Sequence, residues 1–290
     1  MPSLKHFAFL TTIALGLGTL AFADTVVVSP GDMGSWSFVA TDDNGVPCPT
    51  CGTGSMVPGP ATPPLGVGSA NLQTTGDGSA ASAIVSTALN GQSLSSITAL
   101  SYSTYDTTNN GQQFPYLQLM VSWAGGIPLF GSGPDDILTF EPPYQTLAAN
   151  GNAGLPDQGT TQMSQWQTWD ALNGGWYDAL GTAGSNPNGG FGGEVTLAQI
   201  AAALPADATI TPDWNGNGGT ELLVGYASPS DSFDGNVDNV TIGISNVSTT
   251  YDFEPGAATP EPGTFVLFTG AGLLVFAYSR RKAKIAKQTV

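Results

Sequence analysis

NVTIGIS, at residues 239–245, is the stretch that decides the fold class. Its apolar residues Val240, Ile242 and Ile244 alternate with small or polar ones, so in an extended chain they fall on one face. The stretches LSYSTYD at 100–106 and PYLQLMVSW at 115–123 alternate in the same way. A period of two over such lengths predicts half-buried β-strands.

Similar short segments recur on both sides of this stretch and are separated by turn-forming residues. The predicted strands are 25–29, 36–40, 69–74, 96–105, 116–123, 136–140, 221–227, 237–245 and 249–253. Because no long helix intervenes, we expect a mostly β domain over residues 24–255, an antiparallel β-sandwich of the jelly-roll kind. Loops rich in Gly and Pro are expected at 44–64, 124–134, 151–159 and 181–193.

One short helix is predicted inside this domain. Thr196 and Gln199 have the spacing of a capping box, in which the side chain of each bonds to the backbone N–H of the other. An apolar stripe follows over residues 197–204, and Pro205 ends the pattern.

Charge is distributed very unevenly along the 290 residues. The six Lys and Arg residues are Lys5 and five residues of the last eleven, and the single His is His6. Residues 24–259 contain no Lys, Arg or His, yet they hold all but one of the 22 acidic residues. This body therefore lacks a basic patch for nucleic acid, an Arg or Lys clamp for phosphoryl transfer, and any His-based nucleophile or zinc site.

The N-terminus has the three parts of a secretory signal peptide over residues 1–23. Lys5 gives a positive start, residues 7–20 are apolar, and Ala21 and Ala23 form a cleavage site before Asp24. The alternative is a membrane anchor, but the apolar run is shorter than the ~20 residues that a span needs. We therefore expect export through the Sec machinery.

The C-terminus also has three parts. A linker at 256–263 carries a Pro-Glu-Pro motif, 264–279 is apolar, and 280–290 is basic. As a helix, the apolar part is about 24 Å long, a little short of the ~30 Å hydrocarbon core. We still expect a transmembrane helix, with its basic residues reaching to the cytoplasmic interface.

This order of parts resembles the PEP-CTERM sorting signal of Gram-negative bacteria. The matching residues are Pro260, Glu261, Pro262, Arg280, Arg281 and Lys282, whereas Thr259 stands where that signal usually has Val. The resemblance implies processing by an exosortase-type enzyme and delivery to the cell surface or extracellular matrix. A plain C-terminal membrane anchor is the alternative. The body also resembles uncharacterised secreted bacterial β-sandwich proteins, which brings no assigned activity.

Cys48 and Cys51 are the only two cysteines. In an exported chain, such a pair is expected to form a disulfide. A redox-active pair would need a helix N-terminus to lower the thiol pKa, and the surrounding Pro and Gly residues argue against one.

Two segments have the oxygen spacing of a calcium loop. The first contains Asp213, Asn215 and Asn217, with Glu221 nearby as a further carboxylate. Val224 holds the position of the twelfth ligand, which excludes an EF-hand. The alternative for this segment is a tight turn between strands.

The second segment contains Asp234, Asn236 and Asp238 at the same spacing, and a turn is again the alternative. The many carboxylates of a body without a basic residue repel one another, and bound divalent cations would offset that repulsion. Calcium is therefore the candidate cofactor for both segments.

An aromatic cluster within WQTWDALNGGWY is a candidate for stacking on sugar rings. It consists of Trp166, Trp169, Trp176 and Tyr177. The favoured alternative is that these large rings fill the core.

Hydrolysis of a glycoside needs only two carboxylates, which this body can supply. The candidates are Glu141, Asp170, Asp178, Glu194 and Glu221, and no spacing selects a pair. We therefore expect a non-catalytic structural or binding component of an extracellular polysaccharide layer, with a carbohydrate-active hydrolase as the alternative. A third reading is a calcium-stiffened coat protein without a sugar ligand.

Overall fold

Strands dominate the computed structural model, which describes residues 24–150, 154–178 and 193–256. The strands in these ranges are β1 (Asp24–Val28), β2 (Trp36–Thr41), β3 (Gly52–Pro58), β4 (Gly68–Thr74), β5 (Ala81–Ser86), β6 (Ile97–Thr108), β7 (Tyr116–Ser122), β8 (Asp136–Phe140), β9 (Gln167–Asp170), β10 (Gly175–Asp178), β11 (Val195–Thr196), β12 (Thr209–Ile210), β13 (Thr220–Gly225), β14 (Asp234–Ile244) and β15 (Val247–Phe253). The α-helices in these ranges are α1 (Leu147–Asn150) and α2 (Leu197–Ala203), and single 3-10 turns lie at Leu94–Ser96, Leu129–Gly131 and Pro142–Tyr144.

The strands form two sheets. The first has the order β1-β15-β14-β4-β3, with β6 on the other side of β14 and β9 beyond β6. The second has the order β11-β10-β8-β7-β13-β5-β2, with β12 alongside β7. Buried side chains from both sheets belong to one apolar core, in which Tyr102, Phe140, Trp169 and Trp176 are among the largest side chains.

The expectation of purely antiparallel pairing is wrong at one strand. β1 runs parallel to β15, with Val28 opposite Phe253, while the other strand pairs of the described residues are antiparallel. A parallel pair needs a long crossover between its strands. β1 and β15 satisfy that requirement because they stand at opposite ends of the domain's sequence.

The alternation at 239–245 is confirmed and is completed by a β-bulge. Val240 and Ile242 are buried in the core, and β14 pairs with β15 on one side and β6 on the other. The register with β6 shifts between Asp238 and Thr241, where Asn239 has a φ of 53°. The extra residue lets both Val237 and Val240 face inward although they are three positions apart.

The predicted helix is also confirmed. In α2, the Thr196 side chain accepts a hydrogen bond from the backbone N–H of Gln199, and the Gln199 side chain accepts one from the backbone N–H of Thr196. Leu197 and Ile200 are buried, so the apolar stripe faces the core as expected.

Several strands were missed by the sequence patterns. β3 lies inside the predicted 44–64 loop, although it pairs with β4 along its whole length. The glycines of β3 make its sequence look like that of a loop. Glycine is nevertheless required at Gly54, because a Cβ there would lie 2.3 Å from Cδ1 of Phe38. β5 has no alternation because all six of its residues are buried. β9 and β10, which carry three of the four candidate stacking residues, were also missed.

The predicted signal peptide, the Pro-Glu-Pro motif, the membrane helix and the basic tail lie outside the described residues. Among the helices of the described ranges, none has the length and apolar character needed to cross a bilayer.

The capping box gives a direct test of α2. We expect Thr196→Ala to lower the free energy of unfolding by about 1 kcal/mol, because the backbone N–H of Gln199 loses its acceptor. Thr160→Ala is the matched control, since Thr160 is exposed and outside the strands and helices. Urea unfolding of the three chains checks this, and equal stabilities would contradict it.

Candidate functional site

The outer face of the first sheet brings together residues from two of the predicted sites. In the register of the strands, Asn236 on β14 lies opposite Asn71 on β4 and opposite Tyr105 on β6. Trp166 packs against Tyr105, with ring centroids 5.6 Å apart. We call Asn71, Tyr105, Trp166, Asp234 and Asn236 the amide–aromatic face.

The polar half of this face is held by its own hydrogen bonds. The Asn71 side-chain amide donates to Oδ1 of Asp234 at 2.7 Å and to Oδ1 of Asn236 at 3.2 Å. The Asn236 amide donates in turn to Oγ of Ser69 at 2.9 Å. Asn71 and Asp234 remain partly exposed, whereas Asn236 is buried beneath them, so an amide and a carboxylate of fixed position are accessible to solvent.

The aromatic half is equally well fixed. Nε1 of Trp166 donates to the backbone oxygen of Pro60 at 2.9 Å, and the ring is tilted 54° from that of Tyr105. Both rings are partly exposed. Such a pair offers an apolar surface that requires little ordering when a flat ligand packs against it.

The other three aromatic candidates belong to the core, as the favoured alternative predicted. Trp169 and Trp176 are 0% exposed and Tyr177 is 3% exposed. Nε1 of Trp169 donates to Oγ1 of Thr104 at 2.8 Å, and Nε1 of Trp176 donates to the backbone oxygen of Ala171 at 2.6 Å. Their ring faces are covered by protein, so Trp166 alone of the four can meet a ligand in this conformation.

The expectation of a calcium loop at Asp234–Asp238 is corrected by the structure. These residues lie within β14, where Asp234, Asn236 and Asp238 point to one face. Along a strand, every second residue advances by about 6.6 Å, so the first and last of the three are about 13 Å apart. They cannot surround one ion as the residues of a tight loop do.

Burial instead raises the pKa of the carboxyl groups of Asp238 and Asp106. Asp238 accepts hydrogen bonds from the backbone N–H groups of Leu65 and Phe253, and burial raises its pKa to about 7 despite these bonds. The pKa of Asp106 is also raised to about 7, mainly by burial. The hydrogen bond from the amide of Asn109 lowers this pKa, and the charge of Asp234 raises it. The first sheet therefore carries two carboxyl groups that change charge near neutral pH.

The first candidate calcium segment forms a turn that brings Asp213 next to Glu221. Oδ1 of Asp213 accepts hydrogen bonds from the backbone N–H groups of Asn215 at 2.9 Å and Asn217 at 2.7 Å. The Asn215 amide points elsewhere and donates to the backbone oxygen of Gly45. Burial first, and then the charge of Asp213, raises the pKa of Glu221 to about 8.

One pair stands out among the candidate carboxylates for hydrolysis. Tyr177 donates its hydroxyl to Oε1 of Glu141 at 2.7 Å, and Glu194 is close enough for its charge to act on Glu141. Burial raises the pKa of Glu141, the bond from Tyr177 lowers it, and the charge of Glu194 raises it further. Asp170 is exposed and accepts hydrogen bonds from Asn173 in a local turn. Asp178 is buried at the end of β10.

Cys48 and Cys51 are joined by a disulfide, with Cα atoms 5.4 Å apart. The bridge closes a turn between β2 and β3, in which the N–H of Cys51 donates to the oxygen of Cys48 at 2.9 Å.

Asn71 and Tyr105 were missed as site residues. The position of Tyr105 could have been predicted from the sequence. Tyr105 is three positions from the buried Tyr102 on one strand and therefore faces the opposite side of the sheet. Asn71 could not have been predicted in this way, since its role depends on β14 lying beside β4.

The chain matches no protein-family model, no curated protein and no solved structure.

The raised pKa of Asp106 predicts that the protein loses stability as the pH rises. The unfolded chain ionises this carboxyl near pH 4, whereas the folded chain ionises it near pH 7. Its contribution is thus fully present below about pH 4 and is lost by up to about 1.4 kcal/mol per pH unit towards pH 7. We expect Asp106→Asn to remove this part of the slope.

Urea unfolding at pH 4, 5, 6 and 7 measures the slope. Asp32→Asn is the control because Asp32 is exposed. An identical pH dependence in wild-type protein and Asp106→Asn would show that Asp106 titrates normally.

Proposed function

We propose that this chain is an exported, non-catalytic module of the bacterial surface or extracellular matrix that binds polysaccharide through its amide–aromatic face. The observation that carries the proposal is the fixed and partly exposed pair of Trp166 and Tyr105 beside Asn71 and Asp234. In this proposal the Sec machinery exports the chain and an exosortase-type enzyme processes its C-terminal tail.

The chemistry of the face suits a sugar. Aromatic rings can cover the apolar C–H surface of a pyranose ring, while amide and carboxylate groups hydrogen-bond with its hydroxyls. The face supplies both within one row of neighbouring strands.

The charge of the body disfavours anionic polysaccharides as ligands. The body has no Lys, Arg or His between residues 24 and 259 and carries many carboxylates. Anionic polymers are repelled by such a surface, and the repulsion is strongest at low salt.

We also propose the finer architecture, a β-sandwich of the jelly-roll kind, for residues 24–255. The single core shared by two sheets supports it.

Binding of the full-length chain to a panel of neutral and anionic polysaccharides tests the function. We expect binding to at least one neutral polymer and a loss of roughly tenfold in affinity for Trp166→Ala, which corresponds to about 1.4 kcal/mol. Trp166→Phe should retain most of the affinity because it keeps a ring.

Trp123→Ala is the matched control, since Trp123 is also partly exposed but lies outside this face. If Trp166→Ala and the control are both folded and bind with equal affinity, the polysaccharide does not bind at the amide–aromatic face. Failure of every polymer to bind would leave a purely structural role.

A second candidate function is glycoside hydrolysis by Glu141 and Glu194. It is favoured by the raised pKa of Glu141, which suits a general acid, and by the neighbouring carboxylate of Glu194.

Release of reducing ends from the same panel separates hydrolysis from binding. If hydrolysis occurs, Glu141→Gln should abolish it, because the amide cannot donate a proton, while Asp170→Asn should leave it unchanged. Binding without release would exclude hydrolysis of the polymers tested.

A further inference from the structure

A small cavity lies under the outer face of the second sheet. Its volume is about 10 Å³, which is the room of one water molecule or one bare cation. The polar side chains that line it belong to Thr41, Asp213, Glu221 and Tyr226, and Trp214 also lines it. We call it the Asp213–Glu221 cavity.

One wall of this cavity is held in place by a contact between Trp214 and the loop containing Gly45. Nε1 of Trp214 donates to the backbone oxygen of Gly45 at 2.8 Å. Gly45 has a φ of +70°, and a Cβ there would lie 2.5 Å from Cζ2 of Trp214. The loop containing Gly45 can therefore pack against the Trp214 ring only because this residue is glycine.

Glu221 is the unusual residue in this cavity. It is only 6% exposed, and no hydrogen bond from a described residue reaches its carboxyl group, which keeps some contact with solvent. A buried carboxylate without a partner costs several kcal/mol, so a group of this kind needs a ligand, a proton or a water. No Lys, Arg or His exists between residues 24 and 259 to pair with it.

Asp213 can share a ligand with Glu221. Its Oδ1 already accepts two backbone hydrogen bonds, but among the described residues its Oδ2 accepts a bond only from the side-chain amide of Asn217, at 2.9 Å. A carboxylate has about four acceptor positions, so Oδ2 has room for another partner. The hydroxyls of Tyr226 and Thr41, 2.6 Å apart, add two neutral oxygens to the lining.

We infer that the Asp213–Glu221 cavity binds one calcium ion. Its two carboxylates and two hydroxyls are hard oxygen ligands, which calcium prefers, and it offers none of the soft ligands that zinc prefers. Magnesium demands near-ideal octahedral geometry and gives up its waters reluctantly, whereas calcium accepts an irregular set of oxygen ligands completed by water. The ion would neutralise both carboxylates and tie the turn after Asp213 to β13.

This inference is independent of polysaccharide binding. The amide–aromatic face belongs to the first sheet, whereas the Asp213–Glu221 cavity lies against β13, β5 and β2 of the second. Loss of calcium binding and loss of sugar binding can therefore be separated by variants on different sheets.

Thermal unfolding of the full-length chain tests the site. After treatment with EDTA, we expect calcium to raise Tm by several degrees, because a ligand that binds only the folded state adds stability by mass action. Magnesium and sodium at matched ionic strength should not do so. Glu221→Gln should lose the response while Asp32→Asn keeps it.

A terbium ion can report the position of the site without relying on the stability of Glu221→Gln. Terbium replaces calcium at oxygen sites and emits when a nearby tryptophan is excited. We expect bound terbium to emit through Trp214, to be displaced by calcium, and to lose most of its emission in Trp214→Phe but not in Trp123→Phe.

Three results would overturn the inference. The first is an equal rise of Tm with all salts, which indicates screening of surface carboxylates. The second is calcium binding that persists in Glu221→Gln, and the third is terbium emission that is unchanged in Trp214→Phe.

Discussion

A body that buries carboxylates without possessing a single cationic side chain must satisfy them in other ways, and much of this structure follows from that constraint. Asp238 is held by two backbone N–H groups, and Asp213 is held by two backbone N–H groups and an amide. Asp106 relies on the amide of Asn109. For Asp238 and Asp106 these donors do not offset burial, which raises the pKa of each carboxyl group to about 7.

The same constraint separates the roles of the two sheets. On the first sheet, amides beside the carboxylates form a network that remains partly open to solvent, and an aromatic pair completes a surface suited to a neutral sugar. On the second sheet, Glu221 lines a small cavity where neither a backbone N–H nor a side-chain amide of the described residues reaches its carboxyl group. A buried carboxylate without a hydrogen-bond donor is stable only if a bound cation or a proton compensates its charge.

Local pattern was enough to predict the elements whose causes are local. The alternation at 239–245 and the capping box at Thr196 both act between residues close in sequence, and both are present as expected. β3 and β5 could not be found in this way. β5 is covered on both faces, and β3 is a glycine-rich strand defined by its partner β4 and by the nearby ring of Phe38.

The two calcium motifs show why the site itself was only half predictable. Asp213 to Asn217 and Asp234 to Asp238 have the same oxygen spacing, yet the first folds into a turn and the second lies along a strand. What separates them is pairing with distant strands: β14 is held between β4 and β6 over the second motif, while Gly216, with a φ of +81°, bends the first. Sequence spacing therefore identified oxygen-rich segments, but long-range strand pairing decided whether their oxygens could converge on one point.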